Sequence, residues 1–118
     1  CNIQKKNYTI FGYKGKQVRD NIHSEDLICC FWEFYKKPTS GNVYNIGGER
    51  KCSCSIIEAI KIIEKELQIK IKINYQKQHR TGDHKWWITN NQKFKKDYPK
   101  FKITYNIKKI IKELIENK

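Results

Sequence analysis

The chain switches several times between two kinds of apolar spacing, and those switches predict its elements. Residues 8–13 are aromatic and β-branched, 14–16 form a Lys-Gly-Lys turn, and 17–22 resume extended sequence, which together predict a hairpin. Ser24 is placed as an N-cap, with Glu25 and Asp26 in the first helical turn, where negative charge suits the helix dipole. The helix that follows carries a broad apolar face made of Leu27, Ile28, Phe31, Trp32, Phe34 and Tyr35, and Pro38 to Gly41 ends it.

Val43 to Ile46 reads as a short buried strand before Gly47-Gly48 and a polar loop. Ser55 and Glu58 have capping-box spacing, and Ile56, Ala59, Ile60, Ile63 and Leu67 then recur at the period of a helix. From Ile69 the period drops to two, through Ile71, Ile73 and Tyr75, as in a half-exposed strand. Trp86 to Ile88 forms a brief extended segment, Thr89 and Gln92 can cap a short helix stopped by Pro99, and Ile107, Ile110, Ile111 and Leu114 make a closing amphipathic helix. The expected class is mixed α/β, with about four strands and four helices and no repeat or linker.

A chain of 118 residues supports one domain with a modest core, or part of one. It opens on Cys1 and runs at once into strand-like sequence, which suggests a fragment. No apolar run approaches the roughly 20 residues of a membrane span, so a membrane partner is not expected. The five cysteines are odd in number and closely spaced, at positions 1, 29, 30, 52 and 54, which fits reduced thiols in the cytoplasm better than a disulfide framework. Cys52-x-Cys54 lacks knuckle spacing and a second pair, so no metal is expected.

The formal charge of +13 would attract any polyanion, but the lysines alternate with isoleucine and glutamate along the chain instead of clustering with aromatic readers. A nucleic-acid-binding module is therefore the alternative reading and not the first. The three arginines are more informative. Arg19, in Val18-Arg19-Asp20-Asn21-Ile22-His23, and Arg80, in Arg80-Thr81-Gly82-Asp83-His84, each have an acidic neighbour within three positions. A guanidinium held in this way presents a planar fork to phosphate or carboxylate oxygens, so the two stretches read as a split anion site. Arg50 reads as a solvated loop charge. Asp20 and His23 read as structural, Asp20 as a partner for Arg19 and His23 as a helix cap. Trp86 and Trp87 are expected in a core or a lobe interface.

Taken in order, the stretches 8–27, Val43-Tyr-Asn-Ile-Gly-Gly48, Cys54-Ser-Ile-Ile-Glu-Ala59, Arg80-Thr-Gly-Asp-His-Lys-Trp-Trp87 and Phe94-Lys-Lys-Asp-Tyr-Pro99 resemble the C-terminal part of an extended short-chain dehydrogenase/reductase. The resemblance covers nearly the whole chain and is strongest to the CDP-paratose 2-epimerase (CDP-tyvelose epimerase) branch of these nucleotide-sugar epimerases and dehydratases. It rests there on Phe11-Gly-Tyr-Lys-Gly-Lys-Gln17, Asn21 and the Gly-Asp-His stretch followed by two tryptophans. The resemblance implies a Rossmann-type enzyme whose N-terminal lobe holds NAD and whose C-terminal portion, here residues 1–118, binds the nucleotide-sugar, with a CDP-sugar favoured. It further implies that Arg19 and Arg80 bind the substrate diphosphate, that Asp83 contacts the ribose or neighbouring groups, and that Thr9, Ile10 and Phe11 line the base.

The complete protein would be a homo-oligomeric epimerase that oxidises a sugar carbon, exchanges its face and returns the hydride. This chain alone would be inactive. It has no glycine-rich dinucleotide fingerprint, hence no cofactor-binding residues of its own. Tyr98-x-x-x-Lys102 and Tyr105-x-x-x-Lys109 match a proton-transfer pair in spacing only, because Pro99 interrupts the first and the second starts at or before its helix. No catalytic residue is expected here.

Overall fold

A computed structural model describes residues 7–79 and 81–117. Arg80 and Cys1 lie outside the described residues. The chain divides into two compact units, one drawn from segments 1–19, 54–87 and 111–118 and the other from 20–53 and 88–110.

In the first unit, strand β1 (Tyr8–Phe11) pairs in parallel with β4 (Ile73–Gln76), Tyr8 opposite Ile73 and Phe11 opposite Gln76. Strand β2 (Val18–Asp20) pairs in parallel with β5 (Trp86–Trp87), with Val18 opposite Trp86 and Arg19 opposite Trp87. The expected hairpin is therefore absent. Gly12, Tyr13, Lys14 and Gly15 all take positive φ, at 64°, 46°, 52° and 71°. That run makes a left-handed 3-10 turn instead of a two-residue reversal, so β1 and β2 enter separate sheets. Only the last part of the alternating 69–75 stretch joins a strand. Its start is tied to the helix before it, where Gln68 ends the turn in the left-handed region and the Glu64 side chain accepts from the Ile71 amide at 2.9 Å.

That helix, α2 (Ile56–Leu67), follows the short strand β3 (Ser53–Ser55) and opens on the expected capping box. Ser55 Oγ accepts from the Glu58 amide at 3.2 Å, and Glu58 Oε2 accepts from the Ser55 amide at 2.7 Å. Each side chain satisfies an amide that the helix start leaves open. Ser55→Ala should cost about 1 kcal/mol in chemical denaturation, with the slope unchanged.

In the second unit, α1 (Ser24–Lys36) is capped one residue earlier than expected: His23 Nδ1 accepts from the Glu25 amide at 3.2 Å, and Ser24 is the first helical residue. The apolar face splits. Asp26, Cys30 and Phe34, spaced four apart, turn inward, while Ile28, Phe31, Trp32 and Tyr35 are more than half exposed. The core gathers Cys30, Phe94, Tyr98 and Phe101, with Phe34, Tyr44, Ile46 and Ile103 against them. Phe94 stacks on Tyr98 at 4.5 Å and meets Phe101 edge-on at 5.1 Å, geometry that adds to plain area burial. Residues 43–46 form no strand. Val43 is 78% exposed, and the segment is held by its side chains instead, Tyr44 donating to Asp97 at 2.7 Å.

The short helix α3 (Gln92–Asp97) has Asn91, not Thr89, at its N-cap, and makes no side-chain cap bond because the Asn91 side chain is engaged elsewhere. Fully buried, it accepts from the Gly47 amide at 3.0 Å and donates to the Gly47 carbonyl at 2.7 Å, clamping the glycine pair. The closing helix α4 (Ile107–Glu116) forms as expected. The fold is mixed α/β with five short strands and four α-helices among the described residues, and no described helix is long and apolar enough to cross a membrane.

Candidate functional site

The parallel pairing of β2 with β5 brings the first arginine stretch beside the second motif. The Val18 amide donates to the Lys85 carbonyl at 2.9 Å, which sets the register and places Arg19 opposite Trp87. Arg19 then reaches the loop before β5: one terminal nitrogen donates to Asp83 Oδ1 at 2.6 Å and the other to the Val18 carbonyl at 2.8 Å. Two contacts from a rigid fork fix its plane. The pair is about a third exposed on the arginine side and a quarter on the aspartate side, so its value lies in orientation more than in stability.

The acidic partner differs from the sequence expectation. Asp20 does not pair with Arg19; its Oδ2 accepts from the Glu49 amide at 3.2 Å and the Thr89 amide at 3.1 Å in the second unit. Asp20 is structural, as expected, through backbone amides that the sequence could not reveal. His23 is structural too, as a cap and as a ring stacked on Tyr105 at 3.6 Å.

Of the three base-lining candidates, Thr9 is half-buried, Phe11 is 42% exposed, and Ile10 is 1% exposed with its side chain packed under Gly15. Ile10 is therefore closed to a ligand, its side chain under Gly15 and its backbone turned toward β4 in the parallel ladder. Trp86 and Trp87 are 59% and 55% exposed, so they do not belong to the core of either unit, because a two-residue strand with one described partner leaves both side chains uncovered. Arg50 is exposed in a 3-10 turn, as expected of a loop charge.

Around the Arg19–Asp83 pair stands a group the sequence did not single out. Tyr13 donates to the Asp83 carbonyl at 3.4 Å and stacks on His79 with ring centroids 5.2 Å apart, and Lys85 Nζ lies 5.2 Å from the Tyr13 ring. Its one legible signal was the Gly12-x-x-Gly15 frame around Tyr13.

Neither Tyr-x-x-x-Lys match forms a proton-transfer pair. Tyr98 is buried, donating to the Lys37 carbonyl at 2.9 Å, and Tyr105 is buried with its hydroxyl on Glu25 at 2.6 Å. Three of the thiols are equally unsuited to nucleophilic work: burial pushes Cys30 up to about 11 and also raises Cys52 and Cys54 above the ordinary thiol value.

A dinucleotide pyrophosphate needs glycines that leave room for it at a helix N-terminus. Here the buried glycines are filled by the chain itself. A Cβ at Gly47 would lie 2.3 Å from Asp20 Oδ2, one at Gly48 1.9 Å from the Asn21 carbonyl oxygen, and one at Gly12 2.5 Å from the His79 Cβ. The described residues do not fit a nicotinamide cofactor, so no step through one is derived from them.

No family model matches the chain. A stretch of 61 residues is 41% identical to CDP-paratose 2-epimerase of Salmonella typhi, covering 50% of this chain and 18% of that enzyme. Among solved structures, UDP-glucuronic acid 4-epimerase from Bacillus cereus, in complex with UDP-glucuronic acid and NAD, superposes with a TM-score of 0.80 at 25% identity over 95% of this chain. The fold is that of part of a Rossmann-type short-chain dehydrogenase/reductase. The dTDP-glucose 4,6-dehydratase from Bacillus anthracis, in complex with NAD, agrees in fold, with a TM-score of 0.78 at 24% identity over 94% of the chain. The chain spans 36% of the length of the first short-chain dehydrogenase/reductase structure and 34% of the second. Its structural neighbours are nucleotide-sugar epimerases and dehydratases of this superfamily.

Proposed function

We propose that residues 1–118 are the nucleotide-sugar-binding part of an NAD-dependent sugar epimerase, of the CDP-paratose 2-epimerase type and favouring a CDP-sugar. The observation that carries this reading is the β2–β5 register, which sets Arg19 against Asp83 and so joins two motifs that are 64 residues apart in sequence. An arginine oriented by the carboxylate of the sequence stretch that also carries Arg80 supports a diphosphate grip, since paired guanidinium contacts bind phosphate oxygens directionally. The 61-residue match to the Salmonella enzyme supports the epimerase family, and the CDP-sugar is our choice within it.

In this reading Arg19 and Arg80 hold the diphosphate, Asp83 keeps Arg19 in plane, and Thr9 and Phe11, but not the buried Ile10, border the base. Hydride removal and return belong to the cofactor-binding lobe of the complete, homo-oligomeric enzyme. This chain contributes position, which raises reactivity by fixing the sugar relative to that lobe.

Calorimetric titration of the chain with CDP tests the reading. Arg19→Ala and Arg80→Ala should each weaken binding at least tenfold, about the value of one charge-assisted hydrogen bond, while the loop variant Arg50→Ala leaves it unchanged. Equal losses in all three variants would reduce the binding to general charge attraction and overturn the assignment.

A further inference from the structure

The turn between β1 and β2 holds two side-chain-bearing residues in a conformation that glycine normally takes. Tyr13 and Lys14 have φ of 46° and 52°, flanked by Gly12 at 64° and Gly15 at 71°. Left-handed backbone at a tyrosine is strained, and such strain persists only where the surroundings hold it in place. What holds it here is the loop that leads to Asp83. The Tyr13 ring lies against His79, nearly parallel at 13°, and its hydroxyl donates to the Asp83 carbonyl. Gly12 passes so close to His79 that a side chain there would meet the His79 Cβ at 2.5 Å and its backbone Cα at 3.0 Å. The strained turn thus serves to set one ring on another.

The surroundings of this pair have a definite chemistry. His79 is exposed, Tyr13 half-buried, Lys85 lies over the tyrosine ring, and Arg19 is held by Asp83, whose carbonyl receives the tyrosine hydroxyl. A π-faced platform next to two fixed cations suits a ligand with an aromatic ring at one end and phosphate at the other. We infer that Tyr13 and His79 form the stacking platform for the nucleotide base, with His79 the contact residue and Tyr13 the residue that positions it. This deepens the proposed function and rests on it. It also moves base recognition from Ile10, whose side chain is buried, to the turn that follows β1.

Base stacking on an aromatic side chain is sequence-tolerant and typically changes affinity about tenfold. The test is a calorimetric comparison of CDP with inorganic pyrophosphate, which shares the diphosphate and lacks the base. His79→Ala should weaken CDP about tenfold and leave pyrophosphate unchanged, whereas His79→Phe, which keeps a ring, should restore CDP. Tyr13→Ala removes the ring that positions His79 and should weaken CDP while leaving pyrophosphate unchanged, and Tyr13→Phe, which keeps the ring, should recover CDP binding relative to Tyr13→Ala; circular dichroism confirms that each variant is folded. Equal losses for CDP and pyrophosphate, or no loss for CDP, would overturn the platform while leaving the diphosphate assignment standing. Failure of the parent chain to bind either ligand would overturn the proposed function and the platform with it.

Discussion

Replacing Gly48 with alanine should destabilise the chain by about 3 kcal/mol, at the upper end of overpacking costs. The added Cβ would lie 1.9 Å from the Asn21 carbonyl oxygen, 2.7 Å from its carbon and 2.5 Å from the Cys52 Cβ. None of these atoms can retreat cheaply. The Asn21 amide donates to the Cys52 carbonyl at 3.0 Å, the Asn21 side chain to the same oxygen at 3.3 Å, and the Cys52 amide to Gly48 itself at 3.3 Å. Moving any one strand of this knot breaks a bond to another, and Cys52 is fully buried besides. Gly41→Ala is the control: no atom lies within 4 Å of the new Cβ, and only the positive φ of 73° opposes it, for about 1 kcal/mol. Urea denaturation of the two variants should separate them by about 2 kcal/mol. Equal midpoints would contradict the close approach.

Asp26→Asn should cost about 2–4 kcal/mol at neutral pH, with the difference shrinking as the medium becomes acidic. Asp26 is 1% exposed, yet it is satisfied on both oxygens. Oδ1 accepts from the Thr104 amide at 3.0 Å and its hydroxyl at 2.7 Å, and Oδ2 accepts from the Tyr105 amide at 3.1 Å. An asparagine would turn a donor toward one of those donors, because its second terminal atom is an amide nitrogen.

Burial works to raise the Asp26 pKa, but the bonds from Thr104 and Tyr105, aided by the charge of His23, outweigh it and hold the pKa below the ordinary value. A depressed pKa in the fold means that the unfolded chain binds the proton first as pH falls. The stabilisation is therefore complete above about pH 4, the usual aspartate range, and is lost as pH drops through the lower folded value. Glu58 and Glu64 are also lowered by amide hydrogen bonds and add to the same acid slope. A pH series of thermal unfolding should show the parent chain losing stability below pH 4 and the variant losing less. Parallel curves would remove Asp26 from the account.

Asp26 also marks the boundary of what the sequence can express. A carboxylate in the first turn of a helix looks like a dipole partner, and nothing local shows that it instead fastens a segment 78 residues further on. Local signals were legible: the capping box at Ser55 and Glu58, the period of α2 and α4, and the brief β5 all appear where spacing put them. What failed depended on partners distant in sequence. Strands 8–11 and 18–20 look like a hairpin because they are adjacent, yet each pairs in parallel with a strand more than 50 residues away, at 73–76 and 86–87. The face of α1 looked uniform because periodicity reports amphipathicity without reporting which stripe finds a partner.

The candidate site was legible in the same uneven way. Two arginine stretches with nearby carboxylates suggested one anion site; the fold brings Arg19 to an aspartate of the second stretch, Asp83, while Arg80 lies outside the described residues. The choice of Asp83 over the adjacent Asp20 follows from register, which only the folded sheet supplies. Tyr13 and His79 escaped notice because the conformation that joins them, a run of four left-handed residues, is opposed by the ordinary preference of a tyrosine.

The central claim is that this basic chain binds a nucleoside diphosphate at a built site and not polyanions at large. Its most direct test is calorimetric titration with CDP in parallel with a single-stranded oligonucleotide, each at two salt concentrations. The account predicts one CDP site per chain that persists at physiological salt and weakens at least tenfold in Arg19→Ala, with oligonucleotide binding weak and collapsing as salt rises. Saturable oligonucleotide binding without any CDP binding, indifferent to Arg19, would contradict it.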